Sequence, residues 1–417
     1  MNSKIIVRKN LKKVNEKRII MTADIGKENN YCYGRVADLE IEPFEFKHNE
    51  TGYKRILNNI IQLQKASCID KVIIGCESTG VYGEPFVHYF QLKGFEVVLV
   101  NPMHTKRVKE MNDNSPNKTD KKDPKVIADI IELGNILKVV VPEGSAADLR
   151  RLTELRETYI QYRTSLYNQI HSKVFLVFPE YFEVLKDIKT KCSHYVLYKY
   201  TLPQHLRKLS SKKLGMNLQK ISRGRKNEST AKMLIEKAGS SVGISAGSEI
   251  IAMDIRQKLD MITNINIKIM DIEKLMEKTV ERIDYSKNIL SIRGIKTVLV
   301  AGIIGELGDI KKFKTTSEIE KFAGLDLFEI SSGKQKGNCH ISKRGRSHLR
   351  KILYQCALNV IRKGGIMHEV YNNYLDRNKP KMKAIVAIMR KLLRLIFALV
   401  RDNKSYLDNY TDAEIAA

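Results

Sequence analysis

Two apolar runs, each closing on a carboxylate, constrain this chain more than any other feature. Arg18-Ile19-Ile20-Met21-Thr22-Ala23-Asp24-Ile25-Gly26 reads as a buried strand with an acid near its end. Lys71-Val72-Ile73-Ile74-Gly75-Cys76-Glu77-Ser78-Thr79-Gly80 repeats the arrangement. A third segment, Lys118-Thr119-Asp120-Lys121-Lys122-Asp123, precedes the apolar set Val126, Ile127, Ile130 and Ile131. If a helix starts there, the three-residue spacing puts Asp120 and Asp123 on one face. Any one of these acids alone is equally well a solvated turn residue or a helix cap. Four carboxylates in strand, strand, helix order, beside apolar neighbours, call for a cation to hold them. Two Mg²⁺ ions fit, because that hard cation takes a few carboxylates plus substrate phosphate oxygens.

Residues 18–145 alternate strands and helices. Tyr31–Val36 is the hairpin partner of the Asp24 strand, and Phe44-Glu45-Phe46-Lys47 is a third strand. Helices follow at about 53–66 and 84–92, on either side of the Glu77 strand, and Phe95–Val100 is a further strand. This order predicts an α/β unit with a mixed sheet flanked by helices, as in the ribonuclease-H fold. The Asp24 and Glu77 strands would lie side by side, with the helix bearing Asp120 and Asp123 starting at their ends. Met103 to Thr119, rich in Lys, Asn and Asp, is expected to be a loop that is mobile until substrate binds.

The charge balance narrows the partner. The 417 residues carry 73 Lys and Arg against 47 Asp and Glu, a net +26 spread along the chain. A polyanion bound over a long surface, most simply nucleic acid, answers that excess. Residues 1–17 read as a loose basic arm. No two of the six cysteines form a C-x-x-C, and they read as reduced thiols of a cytoplasmic protein. Cys339-His340 with His348 lacks zinc-ligand spacing and a fourth partner. No signal peptide is visible. The most hydrophobic stretch, Ala384 to Val400, contains Arg390, Lys391 and Arg394, so it reads as a basic amphipathic helix rather than a membrane span.

From about residue 146 the period changes. Leu152, Leu155, Tyr159, Tyr162 and Leu166 follow a heptad seam, and Leu259, Ile262, Ile265, Ile269, Ile272 and Met276 form a second. Two long helices are expected to pair, within the chain or between chains, over residues 146–283. Between them, residues 200–250 are poor in large apolar groups and read as a basic insertion, solvated or touching phosphates, with Gly239 to Ser248 as a linker or turn.

A helical final domain is expected over 284–417. Arg293-Gly294 and Lys296 sit between two short helical stretches, a helix-hairpin-helix pattern whose backbone N–H groups suit a DNA phosphate. Ser331-Ser332-Gly333-Lys334 and Ile341-Ser342-Lys343-Arg344-Gly345, followed by Leu349-Arg350, interleave small residues with cations. Glycines let backbone approach phosphate, cations stabilise a charged transition state, and a serine in such a loop is a candidate nucleophile. By itself a Ser-Gly pair is more often only a turn.

These residues together resemble the DEDD-type insertion-sequence transposases, also described as bridge-RNA-guided serine recombinases, and the related pilin-gene invertases. The resemblance rests on Asp24 in Ala-Asp-Ile-Gly-Lys, Glu77 in Cys-Glu-Ser-Thr-Gly, Lys118-Thr119-Asp120 with Asp123, the Gly294 hairpin, Ala323-Gly324-Leu325, Ser332-Gly333, Gly337 and Ile341 to Gly345. It implies a domain like the Holliday-junction resolvase RuvC, in which Asp24, Glu77, Asp120 and Asp123 hold Mg²⁺. It also implies a C-terminal serine that links covalently to the cut strand, with Ser332 the best match and Ser331 beside it. The resemblance further implies a homo-oligomer with a composite site, and a structured guide RNA pairing with donor and target DNA. Pro124 departs from the small residue usual after the second helix acid, but proline is tolerated in a first helical turn. The middle segment is longer than the pattern requires. Two rivals stand beside recombination: a metal-dependent junction resolvase using the N-terminal acids alone, and a non-catalytic nucleic-acid-binding protein.

Overall fold

The structure, a computed structural model, describes residues 18–37, 39–77, 80–112, 123–329 and 339–407. The basic arm, Asp120, Ser331, Ser332 and Lys334 lie outside the described residues.

The first part is a six-stranded sheet with helices on both faces. In chain order its elements are β1 (Ile19–Ile25), β2 (Asn30–Val36), β3 (Leu39–Glu45), α1 (Glu50–Ser67), β4 (Val72–Glu77), α2 (Gly83–Leu92), β5 (Glu96–Val100), α3 (Pro102–Asn112), α4 (Asp123–Glu132) and β6 (Leu137–Lys138). The sheet order is β3-β2-β1-β4-β5-β6, with β1 parallel to β4, β4 parallel to β5, and β2, β3 and β6 antiparallel to their neighbours. The mixed α/β architecture expected from the strand order is therefore present.

Strand alternation divides the core. Ile19, Met21, Ala23 and Ile25 pack with Tyr53, Ile56 and Ile60 of α1 and Phe86 and Phe90 of α2. Ile20, with Ile73 of β4 and Val98 of β5, packs on the other face against Val126, Ile127, Ile130 and Ile131 of α4. The expected loop after Met103 is instead the helix α3 at least to Asn112. Asn101 supplies its start: the side-chain oxygen accepts from Met103 N at 2.9 Å, and Pro102 brings a helix-ready φ. Its polarity hid it from a pattern search.

Two 34-residue helices follow, α5 (Gly144–Val177) and, after the lobe described next, its partner over Ser248–Glu281. They run antiparallel within the chain: Arg156 pairs with Glu273 at 2.7 Å, Arg163 donates to Asn266 at 2.8 Å and Lys173 pairs with Asp254 at 2.8 Å. The second seam is buried at Leu259, Ile262, Ile269, Ile272 and Met276. The first is not a single seam, because Leu155 and Tyr162 are exposed. Leu149, Tyr167, Ile170 and Val174 form the buried face of α5 instead.

The segment between the two is a helical lobe, not an open insertion. It comprises α6 (Tyr181–Val184), α7 (Lys191–Lys199), α8 (Pro203–Arg207), α9 (Ser211–Ser222) and α10 (Glu228–Gly239), and the second long helix is α11. Leu206, Leu214, Leu218 and Leu234 join Phe178, Tyr181 and Val196 in its own core, so a few well-spaced leucines suffice. The expected linker is docked as well. Ile244 N donates to Leu176 O at 2.9 Å, and the Glu180 carboxylate accepts from Ser241 and Val242.

The last part contains α12 (Ser286–Leu290), α13 (Thr297–Leu307), α14 (Thr316–Ala323), β7 (Leu327–Glu329), β8 (Cys339–Ile341), α15 (Ser347–Val360), α16 (His368–Asp376) and α17 (Lys381–Arg401). Its core, centred on α13, α15 and α17, also includes Leu149 of α5 and Ile272, Met276 and Val280 of α11, so both long helices are rooted in it. Among the described residues no helix is long and apolar enough to cross a membrane. On α17, Arg390 and Arg394 clamp the buried Glu320 of α14 at 2.7 and 2.5 Å. Removing one member of such a group leaves the others uncompensated. Glu320→Ala should cost about 3 kcal/mol, read as a lower urea midpoint, while Glu320→Gln loses less.

Candidate active site

The site is assembled by alternation in two neighbouring strands. Thr22 pairs with Gly75 and Ala23 with Cys76, so Asp24 and Glu77 close the two strands at the same level. Residues of one parity share a face. Ile20, Thr22 and Asp24 therefore face α4, as do Ile73, Gly75 and Glu77, because Ile20 and Ile73 pack on that helix. Two features draw α4 in. A Cβ on Gly75 would sit 2.1 Å from Ile131 Cδ1, so the glycine leaves room for that terminal methyl as the helix packs on β4. The Thr22 hydroxyl donates to Pro124 O at 2.6 Å, tying the first turn of α4 to β1 two residues before Asp24. Asp123 opens that turn and is buried. Across the sheet, Arg35 of β2 holds Asp129 at 2.7 Å and Glu132 at 2.5 Å. Among the described residues no three His, Cys, Asp or Glu side chains form a metal-holding group.

The second half of the site comes from the C-terminal part. Gly324, with φ +66°, ends α14, and Gly345 crosses it. A Cβ on Gly345 would lie 2.2 Å from Phe322 O and 2.3 Å from Gly324 N, so two backbones touch there. Arg350 locks the crossing by donating to Ala323 O at 3.0 Å and Gly345 O at 2.8 Å. Its guanidinium is thus committed to backbone carbonyls. The Ser342 hydroxyl donates to Asp326, which fixes the base of the β7–β8 pair. Lys343 and Arg344 project from this turn and are exposed. Ser331, Ser332 and Lys334 fall in sequence between β7 and β8. Arg293 and Lys296 are also exposed, around Gly294 with φ +99°.

The two halves share a cleft of about 2280 Å³ lined by Glu77, Gly80 and Val81 on one side and by Ser342 to Ser347 on the other. Burial, then the positive charges of Arg344 and Arg107, hold His104 of α3 below its usual range. That repulsion marks how near the basic turn comes to the sheet domain.

A charged group lines the same cleft, and no sequence pattern pointed to it. Glu84 of α2 pairs with Arg150 at 3.4 Å and with Arg151, both on α5. Burial and then Arg150 push the Arg346 guanidinium down, against Glu306, Glu84 and Glu154. Behind them the buried Glu306 bonds His348 Nδ1 at 2.9 Å. Burial raises the Glu306 carboxyl, but the His348 hydrogen bond and the charge of Arg346 outweigh it and hold it below 4.5. The same bond lifts His348 above 6.5, against its own burial. The Glu306 contribution is full above pH 4.5 and fades as pH falls through its folded value. The His348 contribution is full below pH 6.5 and fades as pH rises through its folded value. The pair should therefore stabilise most between those limits. Thermal unfolding from pH 5 to 9 should show wild type losing stability above pH 6.5, and His348→Gln should remove that loss.

Comparison with known proteins supplies the family. A transposase family model of the DEDD, IS110 type matches residues 22–179, and the model described as transposase IS116/IS110/IS902 family matches residues 286–372. The transposase for insertion sequence element IS1111A of Coxiella burnetii is 21% identical, over 86% of both chains. The insertion element IS900 uncharacterized 42 kDa protein of Mycobacterium paratuberculosis is 23% identical, over 69% of this chain and 73% of its own length. The transposase for insertion sequence element IS1328 of Yersinia enterocolitica is 27% identical over 32% of this chain and 40% of its own. The two matches cover both halves of the cleft, and the chain belongs to the IS110/IS116 family of transposases, enzymes that cut and rejoin DNA.

Proposed function

We propose that this transposase excises and inserts its own element through a covalent phosphoserine formed at the cleft. The observation that carries the reading is the meeting, in one cleft, of Glu77 from a strand end beside Asp24 and the cationic turn from Ser342 to Ser347. In this reading residues 18–145 are the catalytic unit, 146–283 the arm and lobe, and 284–417 the domain supplying the serine. Asp24, Glu77, Asp123 and Asp120 would together supply an all-oxygen donor set, whose chemistry fits Mg²⁺ and not a thiolate-seeking metal. Mg²⁺ held there would supply Lewis acidity toward the phosphate.

The chain's own residues do the rest. Ser332 Oγ bonds to phosphorus as the bond from phosphorus to the 3′ oxygen breaks, and the serine proton ends on that 3′ oxygen. Attack by a new 3′ hydroxyl reverses the step, frees the serine and joins a different partner without ATP. Lys334, Lys343 and Arg344 offset phosphate charge, and the turn around Arg293, Gly294 and Lys296 holds backbone as a helix-hairpin-helix does. The exposed Leu155 and Tyr162 on α5 and Met270 on α11 suit a second copy of the chain, giving a homo-oligomer. A structured guide RNA fits the same positive charge as the DNA does.

Asp24→Ala and Ser332→Ala should each abolish recombination in an excision assay, while Ser332→Ala keeps DNA binding. If Ser331→Ala and Ser332→Ala proteins both recombine normally, the covalent serine is refuted. A nicked duplex should trap a protein–DNA adduct; cleavage without an adduct would mark a hydrolytic resolvase instead. Thr22→Val frees the first turn of α4 and should reduce Mg²⁺-dependent cleavage by about 10-fold. The Mg²⁺ concentration for half-maximal cleavage should rise with it.

A further inference from the structure

We propose that the helical lobe grips the phosphate backbone of duplex DNA about one helical turn from the catalytic cleft. The idea rests on the chain acting on DNA and is independent of which serine or acid does the chemistry. Between Asp187 and Glu228 lie 40 residues, of which eleven are Lys or Arg and none is acidic. Elsewhere the fold spends arginines on carboxylates, as at Arg35, Arg150 and Arg390. In the lobe the ion pairs are Lys237 with Glu183 and His205 with Glu249, and neither uses one of the eleven. Two of them have other duties: Arg207 donates to Ala238 O at 2.7 Å, and Lys189 lies over the Tyr167 ring.

The remaining charges are gathered rather than scattered. Arg223 and Gly224 are both left-handed, with φ +54° and +85°, and form a tight turn between α9 and α10. Lys226 N donates to Ser222 Oγ at 2.8 Å and fixes that turn. The turn runs back along α9, because Ser211 at the start of α9 donates to Glu228 at the start of α10. A Cβ on Gly215 would lie 2.5 Å from Glu228 Cα, so the two helices touch there. Lys212 and Lys213 open α9 and Arg223 caps it, about 16 Å further along the helix at 1.5 Å per residue. Arg225 follows on the segment that returns toward Glu228, and all four are exposed. Lys226 adds its charge beside Cys192 of α7. One acid, Glu228, sits within this surface, where its carboxylate accepts from Ser211.

The chemistry favours a duplex. Residues 211–227 contain no aromatic side chain, so this segment offers phosphates point charges, and the neighbouring Tyr195 is half-buried with its hydroxyl held by Asn217. Its position sets the reach. Arg150 lines the cleft and Val177 belongs to the lobe core, and the helix between them spans about 40 Å at 1.5 Å per residue. B-DNA covers that length in about 12 base pairs.

The test uses the full chain with Lys212→Gln, Lys213→Gln, Arg223→Gln and Arg225→Gln combined. Binding to a labelled 40-base-pair duplex and to an RNA hairpin is followed by fluorescence anisotropy across a salt series (lengths of roughly this scale suit the expected reach). On the duplex the slope of log K against log salt should shrink by about 3 to 4, with affinity falling at least about tenfold at low salt. A control with Lys54→Gln, Lys65→Gln, Lys274→Gln and Lys278→Gln removes equal charge outside the lobe and should keep the parent slope. An unchanged slope in the lobe variant, an equal change in the control, or a loss confined to the RNA would each overturn the proposal. Ser332→Ala should bind as the parent does, which separates this outcome from failure of the covalent mechanism.

Discussion

The contact on which the rest depends is the seating of α4 on the β1–β4 pair. An isolated helix start has no reason to stay put beside two strand ends. Here Gly75 removes the side chain that would keep Ile131 away, and the Thr22 hydroxyl satisfies a carbonyl in the first turn. Arg35 then pins the outer side of the same helix to β2 through Asp129 and Glu132. Those last pairs are partly exposed and contribute modestly beside the apolar packing of Val126, Ile127, Ile130 and Ile131 on the sheet. The parallel register does the remaining work by bringing Asp24 and Glu77 to one level.

The walls of the cleft are tied by charge and by backbone contact. A Cβ on Gly305 of α13 would come 2.7 Å from Arg150 N, so the C-terminal core rests directly on the root of α5. From that root, Arg150 and Arg151 reach Glu84 of the sheet domain. The two halves are therefore joined through the root of α5 and through the segment after β6, where Val140 is buried in the C-terminal core while Val139 and Val141 pack on the sheet core.

Much of the sheet was legible in sequence because its signal is local. Apolar runs with an acid at the end, hairpin residues and helical spacing named β1, β2, β4, α1 and α2 closely and placed the Asp24 and Glu77 strands side by side. Polar helices escaped: α3 carries few apolar residues, and its start is written in one asparagine and one proline. The heptad reading failed at Leu155 and Tyr162, because equal spacing does not tell an inner stripe from an outer one. The lobe was masked by composition, since its core leucines are diluted among lysines. Thr22, Gly75, Arg346 and the Glu306–His348 pair were invisible for a different reason. Each acts on a residue far away in the chain, and nothing in a neighbouring residue announces the partner.

The antiparallel pairing of α5 and α11 has a topological consequence. Both helices leave from and return to one core, so everything carried at their tip is a side excursion of the chain. Length added or removed there leaves the strand register and the glycine crossing untouched. Such an arm is a boom with a separate head: the head has its own apolar core, so its size and shape are decoupled from the packing at the base.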